Sequence, residues 1–233
     1  MEISKRTLEL GTEKAFEVLA EVNQQKNQGK DIINFCIGQP DFDTPRHIKD
    51  AAIESINEGK TGYTDSAGIF TARDAVARYF SRTRDIEVNP EHVVIANGSK
   101  HFIAFTILCT TDFGVGDEVI YPNPGYPIYE SQILANGAVP VPLALTEKKK
   151  FSFEIEDLEK SITKKTKLLI LNTPQNPTGG ILEQNDLETI AALAKKHDIW
   201  VLADEIYCQI IYEKKFSSIA SFPGMYERTI ICD

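Results

Sequence analysis

The sequence predicts an α/β fold, a three-layer sandwich around a largely parallel sheet. Three observations carry that expectation. From residue 92 onward, short strand-like apolar runs alternate with segments of helical periodicity, the pattern of repeated β-α units. The run from Leu168 to Leu171 is apolar without interruption, as a buried strand is, and it empties into a loop rich in Asn, Pro and Gly. The chain has 233 residues, 42% of them hydrophobic and 25% charged, enough for one large domain with a sizeable core.

The elements follow in order. Ala15, Val18, Leu19 and Val22 keep helical spacing, and Gly29 sits where a C-terminal cap belongs. "IINFCIG" (32–38) reads as a short strand or extended segment. Thr44 and Pro45 suit an N-cap and first helical position, opening a helix that stops near Gly59. Ala72, Ala75, Val76, Tyr79 and Phe80 mark one face of the next helix. "HVVIA" (92–96), "DEVIY" (117–121), "AVPVPL" (138–143), "KLLIL" (167–171), "IWVLA" (199–203) and "RTIIC" (228–232) are the predicted strands. Helices are predicted between them at 98–110, 127–136, 154–161 and 184–197. No internal repeat or low-complexity linker interrupts the pattern. The boundary it suggests lies near residue 45, with an N-terminal arm at 1–45 and the main domain at 46–233.

Composition excludes several functions. A net charge of −9 argues against a basic groove for nucleic acid, and the cluster Lys148, Lys149, Lys150 reads as a solvated turn. Cys36, Cys109, Cys208 and Cys232 lie far apart, with no C-x-x-C or H-E-x-x-H spacing, so they are expected to be buried free thiols rather than metal ligands or a redox pair. The apolar stretch around "FIAF" and "ILC" (102–109) is too short to span a bilayer, and "MEISKRTLEL" carries charges where a signal peptide needs its apolar segment. A cytoplasmic protein without membrane contact is expected. "IWVLADE" imitates an ATPase strand and "GKT" (59–61) the end of a P-loop, but Glu54 stands where that loop requires glycine. No G-x-G-x-x-G appears either.

In open parallel sheets, ligands bind beyond the carboxyl ends of the strands. After "HVVIA" comes "NGSK", where Gly98 permits close backbone approach and the amides of Ser99 and Lys100 open a helix suited to a phosphate. A plain Asn-Gly turn explains the same residues. Tyr126 in "PNPGYPIY" (122–129) offers a stacking face or is simply a surface tyrosine. In "LLILNTPQNPTGGIL" (168–182), Pro174 and Pro177 stiffen a loop that presents the amide of Asn176, with the Asn176–Pro177 bond a candidate for cis. Thr178, Gly179 and Gly180 allow a tight exit. Asp204 ends an apolar strand, where a buried charge needs a cationic or hydrogen-bonding partner, and Tyr207 follows three residues later. A phosphate cradle, a stacking ring, an amide with a phenol and a buried carboxylate match pyridoxal 5′-phosphate.

These segments, with "FCIGQPDFDTP" (35–45) and "KTGYTDSAGIFTAR" (60–73), resemble the class I, fold type I pyridoxal-phosphate-dependent aminotransferases, which include the aspartate and aromatic aminotransferases. The resemblance implies transfer of an amino group between an L-amino acid and a 2-oxo acid in a homodimer. It implies that Gly38 offers its amide to the substrate carboxylate and that Tyr63 reaches the cofactor phosphate of the neighbouring subunit. It further implies that Gly98, Ser99 and Lys100 bind phosphate and that Tyr126 stacks on the cofactor ring. Asn176 and Tyr207 would meet the phenolic oxygen, and Asp204 the ring nitrogen. The Schiff-base lysine, the substrate-binding arginine and the C-terminal small domain are expected beyond Asp233, so residues 1–45 would be an arm with part of the small domain, and 46–233 an incomplete large domain. Lys60 and Lys100 are poorly placed to substitute for that lysine. Two alternatives remain at this level: a non-catalytic cofactor-binding or interaction module, and a lyase or synthase on the same fold. Borohydride reduction of the chain with pyridoxal phosphate, followed by peptide mass mapping, is expected to show no stoichiometric adduct on a single lysine. Such an adduct would mean that this chain supplies its own Schiff-base lysine.

Overall fold

The computed structural model describes residues 2–8, 10–11, 14–213 and 215–233. They form two compact units, one of residues 1–12 with 70–233 and the other of residues 13–69. In the smaller unit, α1 (Lys14–Asn27) and α2 (Arg46–Asn57) bury none of their described residues. Pro45 is the N-cap of α2 rather than its first helical residue, because its ψ of 141° is extended. Residues 32–38 form no strand among the described residues and bend at Cys36, whose amide donates to Asn34 Oδ1 at 2.9 Å.

The larger unit contains the predicted sheet. Its strands are β1 (Glu118–Asn123), β2 (Val139–Ala144), β3 (Thr166–Asn172), β4 (Trp200–Asp204) and β5 (Thr229–Cys232), in spatial order β2-β1-β3-β4-β5. Every neighbouring pair is parallel. Each crossover therefore needs a connection that covers a face. Helices α4 (Lys100–Thr110) and α5 (Ile128–Ala135) pack Ile103, Ile107, Tyr129 and Ile133 against Val119, Leu168, Ile170 and Leu202. On the other face, α6 (Ile155–Ser161) and α7 (Gln184–His197) pack Leu158, Leu187 and Ile190 against Ile120, Leu169, Leu171 and Val201. Successive residues of β3 thus enter opposite cores, which is why its sequence is apolar throughout rather than alternating. The three-layer α/β sandwich is the architecture read from the sequence.

Two expectations are corrected. Residues 93–96 follow the short 3₁₀ turn Pro90–His92, with Val93 extended, but join no strand among the described residues. They line a cavity of about 990 Å³ together with Ile230 and Ile231 of β5, and without ladder bonds to a neighbour an apolar run is not a strand. Of the four thiols, only Cys208 and Cys232 are buried; Cys36 is half-buried and Cys109 exposed. Helix α4 is apolar on most of its circumference, so Cys109 falls on the side away from the sheet.

Helix α3 (Phe70–Arg84) ends in a buried ion pair. Arg84 Nε donates to Glu205 Oε2 at 2.9 Å, with the two side chains 0% and 1% exposed. Its Nη2 also donates to Asp233, and its guanidinium lies 4.2 Å from the Phe80 ring centroid. Ser218 Oγ donates to the other oxygen of Glu205 at 2.6 Å. One arginine thereby joins α3 to the segments leaving β4 and β5.

Burial pushes the Glu205 carboxyl from 4.5 up to about 6, against the pull of Ser218 and Arg84. Its native form therefore holds a proton more readily than its unfolded form. The resulting stability is fully present below pH ~4.5 and is lost as pH rises through ~6, a change of about 2 kcal/mol. Urea unfolding between pH 4 and 7 is expected to show stability falling with pH, with a shallower slope in Glu205→Gln. An unchanged slope in that variant would remove Glu205 as its source.

Candidate functional site

The site lies at the carboxyl ends of β1, β3 and β4. Parallel register places Asn172 beside Asp204 and Asp204 beside Cys232, so three strand ends share one row. Asn172 binds this row together. Its Nδ2 donates to the Asp204 carbonyl at 3.1 Å, and its Oδ1 accepts the Asn176 amide at 2.7 Å. The loop after β3 is thus fixed to the end of β4 by a buried side chain that closes the turn.

Gln175 performs the second join. Its Nε2 donates to the Pro124 carbonyl at 2.8 Å, while its Oε1 accepts from the amide and the hydroxyl of Thr178 at 2.9 and 2.5 Å. The loop carrying Asn176 is therefore tied to the loop carrying Tyr126. The Asn123–Pro124, Thr173–Pro174 and Asn176–Pro177 bonds are all cis. Two glycines are sterically required. A Cβ on Gly125 would lie 2.2 Å from the Pro122 carbonyl oxygen, and one on Gly180 would lie 2.5 Å from that of Phe151. Asn176 itself is half-buried, and its side-chain amide enters no hydrogen bond among the described residues.

Asp204 is buried at the end of β4, with 4% of its surface exposed. Tyr129, on α5, is fully buried and donates its hydroxyl to Asp204 Oδ2 at 2.5 Å. The other carboxylate oxygen, Oδ1, is buried without a hydrogen-bond partner among the described residues. Burial pushes the Asp204 carboxyl up, the Tyr129 hydroxyl and, more weakly, the Ile206 amide pull it part of the way back, and the Asp233 charge adds to the rise. Burial and the Asp204 charge together raise the Tyr129 phenol, so it remains a donor. The Tyr126 ring meets the Tyr129 ring edge-on at 86°, with centroids 5.7 Å apart. This T-shaped contact fixes the half-buried Tyr126 ring on the same helix start.

Gly98 has φ +85°, a conformation glycine adopts without strain, and leads through Ser99 into α4 at Lys100. Gly98 and Ser99 line one part of the 990 Å³ cavity, and Ile206, Cys232 and Asp233 line another. Tyr207 occupies the turn after β4, half-buried. The larger unit thus holds Gly98, Ser99, Lys100, Tyr126, Asn176, Asp204 and Tyr207. Gly38 and Tyr63 belong to the smaller unit, where both are exposed.

Sequence reasoning missed Tyr129, Asn172 and Gln175. Tyr129 lies three residues after Tyr126, in the first turn of the predicted helix 127–136, and nothing in that position marks it as a partner of Asp204. Asn172 and Gln175 look like ordinary loop polars, and only their partners distinguish them.

A buried acceptor left without a donor is costly unless a ligand or water completes it. Oδ1 of Asp204 therefore fits a protonated ring nitrogen, and the donor set fits pyridoxal phosphate. Among the described residues, no helix is long and apolar enough to cross a membrane.

Comparison with known proteins follows the same line. The model of the family "Aminotransferase class I and II" matches residues 30–233. An aspartate aminotransferase of Pyrococcus abyssi is 40% identical over 204 residues, covering 86% of this chain and 52% of that protein. The aspartate aminotransferase of Bacillus subtilis is 35% identical over 235 residues, covering 99% of this chain and 59% of that protein. The structure of the aspartate aminotransferase from Thermus thermophilus with maleate aligns at a TM-score of 0.94 with 32% identity, covering 99% of this chain and 59% of that one. The chain thus spans between half and three-fifths of the length of these relatives. With its parallel sheet, its strand-end loops and a family model matched over most of its length, this chain belongs to the class I and II aminotransferase family.

Proposed function

We propose that the chain is the cofactor-binding part of a pyridoxal-phosphate-dependent aminotransferase that moves an amino group between an L-amino acid and a 2-oxo acid. The observation that carries the reading is the buried Asp204 carboxylate, with Oδ2 held by Tyr129 and Oδ1 without a hydrogen-bond partner among the described residues. When bound, pyridoxal phosphate supplies an electron sink for the substrate's α-carbon.

The chain's own residues bind and orient that group. Asp204 holds a proton at the ring nitrogen, because its ionised form favours the charged ring in a low-dielectric site. Tyr126 packs against the ring. Asn176 and Tyr207 donate to the phenolic oxygen, and a side-chain amide held by a tied loop loses little freedom in doing so. The amides of Gly98, Ser99 and Lys100 take the phosphate at the start of α4. Gly38 receives the substrate carboxylate, and Tyr63 serves the site of a second subunit, which makes the active form a homodimer. The amino donor is proposed to be aspartate or an aromatic amino acid, in keeping with relatives named aspartate aminotransferase. A cytoplasmic location suits this chemistry.

Pyridoxine 5′-phosphate, which has the ring and phosphate but no aldehyde, tests the reading without lysine chemistry. Calorimetry is expected to give one site per chain, with Asp204→Asn weakening binding about tenfold or more through loss of a charge-assisted contact. Asn176→Ala is expected to cost about tenfold through loss of one hydrogen bond to a polar ligand group. If the parent chain does not bind, or if Asp204→Asn binds as well as the parent, the cofactor assignment fails.

A further inference from the structure

We infer that Tyr129 is a positioning residue for the cofactor's ring nitrogen, acting through Asp204. The inference rests on the reading that Asp204 meets that nitrogen, and goes beyond it by naming the residue that makes the carboxylate fit for the task.

A free carboxylate has two equivalent oxygens and rotates about its terminal bond with little preference. Asp204 does not have that freedom. Tyr129 takes Oδ2 at 2.5 Å and leaves Oδ1 as the buried oxygen without a hydrogen-bond partner among the described residues. The hydroxyl therefore selects which oxygen remains for a ligand. It also favours the ionised carboxylate in a site where burial works against charge. Because Tyr129 is itself fully buried on α5, its phenol has no solvent alternative to this bond.

The same ring has a second contact with the site. It meets Tyr126 edge-on, so the stacking residue and the partner of the acid are braced against each other. A phenylalanine at position 129 would keep the ring contact and delete only the hydroxyl. That separates positioning of the carboxylate from packing.

Other ionisable groups near Asp204 come from several elements. Cys232 of β5 is pushed up to about 12 by burial and by nearby carboxylates, so it is neutral throughout the working range. Asp233 follows it and pairs with Arg84 of α3. Glu205, next in the chain, is held by Ser218 and Arg84 and titrates near 6, so it requires its own control. Tyr126 lies beside Tyr129 and adds to the rise of that phenol.

The experiment compares the parent chain with Tyr129→Phe, Asp204→Asn and the double variant, each repeated in a Glu205→Gln background. Pyridoxine 5′-phosphate affinity is measured across pH. Carbon-13 NMR of labelled aspartate carboxyls follows Asp204 in the ligand-free chain, its resonance assigned by its loss in Asp204→Asn. In Tyr129→Phe the Asp204 titration is expected to move to higher pH, and the acid limb of the binding profile to move with it. Affinity is expected to fall about tenfold on that limb and about threefold on the alkaline side, where the carboxylate is ionised in either chain and only its orientation is lost. In the Asp204→Asn background, Tyr129→Phe is expected to have no further effect. An equal loss in the double variant would overturn the inference and leave Tyr129 a packing residue. An unmoved Asp204 titration would overturn it too. If Asp204→Asn binds like the parent, the cofactor assignment itself fails; if it weakens binding while Tyr129→Phe leaves both profiles unchanged, only the role of Tyr129 fails.

Discussion

Parallel strands covered on both faces impose the constraint from which the rest of this structure follows. Residues of β3 alternate between two apolar cores, so no polar group is cheaply placed along the strand's length. Polar chemistry is confined to the strand ends, and parallel pairing brings those ends to the same side. Asn172, Asp204 and Cys232 lie in one row for that reason. The loops then inherit a second requirement, since buried backbone leaving a strand must be hydrogen-bonded. Asn172 and Gln175 meet it for the loop after β3, and in doing so they bring Asn176 toward the loop of Tyr126.

Two adjacent carboxylates at the end of β4 show how surroundings separate a structural charge from one available to a ligand. Glu205 has both oxygens engaged, one by Arg84 and one by Ser218. It serves as a tether between α3 and the strand ends. Asp204 has Oδ2 engaged by Tyr129, and its Oδ1 is buried without a hydrogen-bond partner among the described residues. Removing a partner from either group leaves a desolvated charge, so both neighbourhoods are costly to disturb. Only Asp204 retains capacity to bind something else, and this distinguishes it as the candidate ligand for a cationic ring nitrogen.

The segment at 93–96 has the apolar composition of a strand and none of its pairing. Strand character is a property of a pair of chains, because the ladder bonds belong to both. Residues 93–96 have no ladder partner among the described residues and line a cavity of about 990 Å³ together with Ile230 and Ile231 of β5. The residues that follow, Gly98 and Ser99, nevertheless take the turn into α4 that a phosphate loop requires, since a glycine at φ +85° and a helix start are local features.

The sequence by itself determined the layer order and much of the candidate site. Apolar runs separated by helical periods specify alternating strands and helices, and the short loops between them require parallel crossovers. Asp204 was legible because a carboxylate ending an apolar strand has few reasons to be there, and Asn176 because prolines and glycines surround it. Tertiary structure alone decided which partners these residues have. Tyr129 meets Asp204 across 75 residues of chain, and Arg84 meets Glu205 across 121. Separations of that size leave no periodic trace in a sequence, because helical and strand repeats report only which face a residue occupies. Whether Oδ1 of Asp204 is left unclaimed depends on where a helix from elsewhere in the chain places a hydroxyl, and packing is what sets that position.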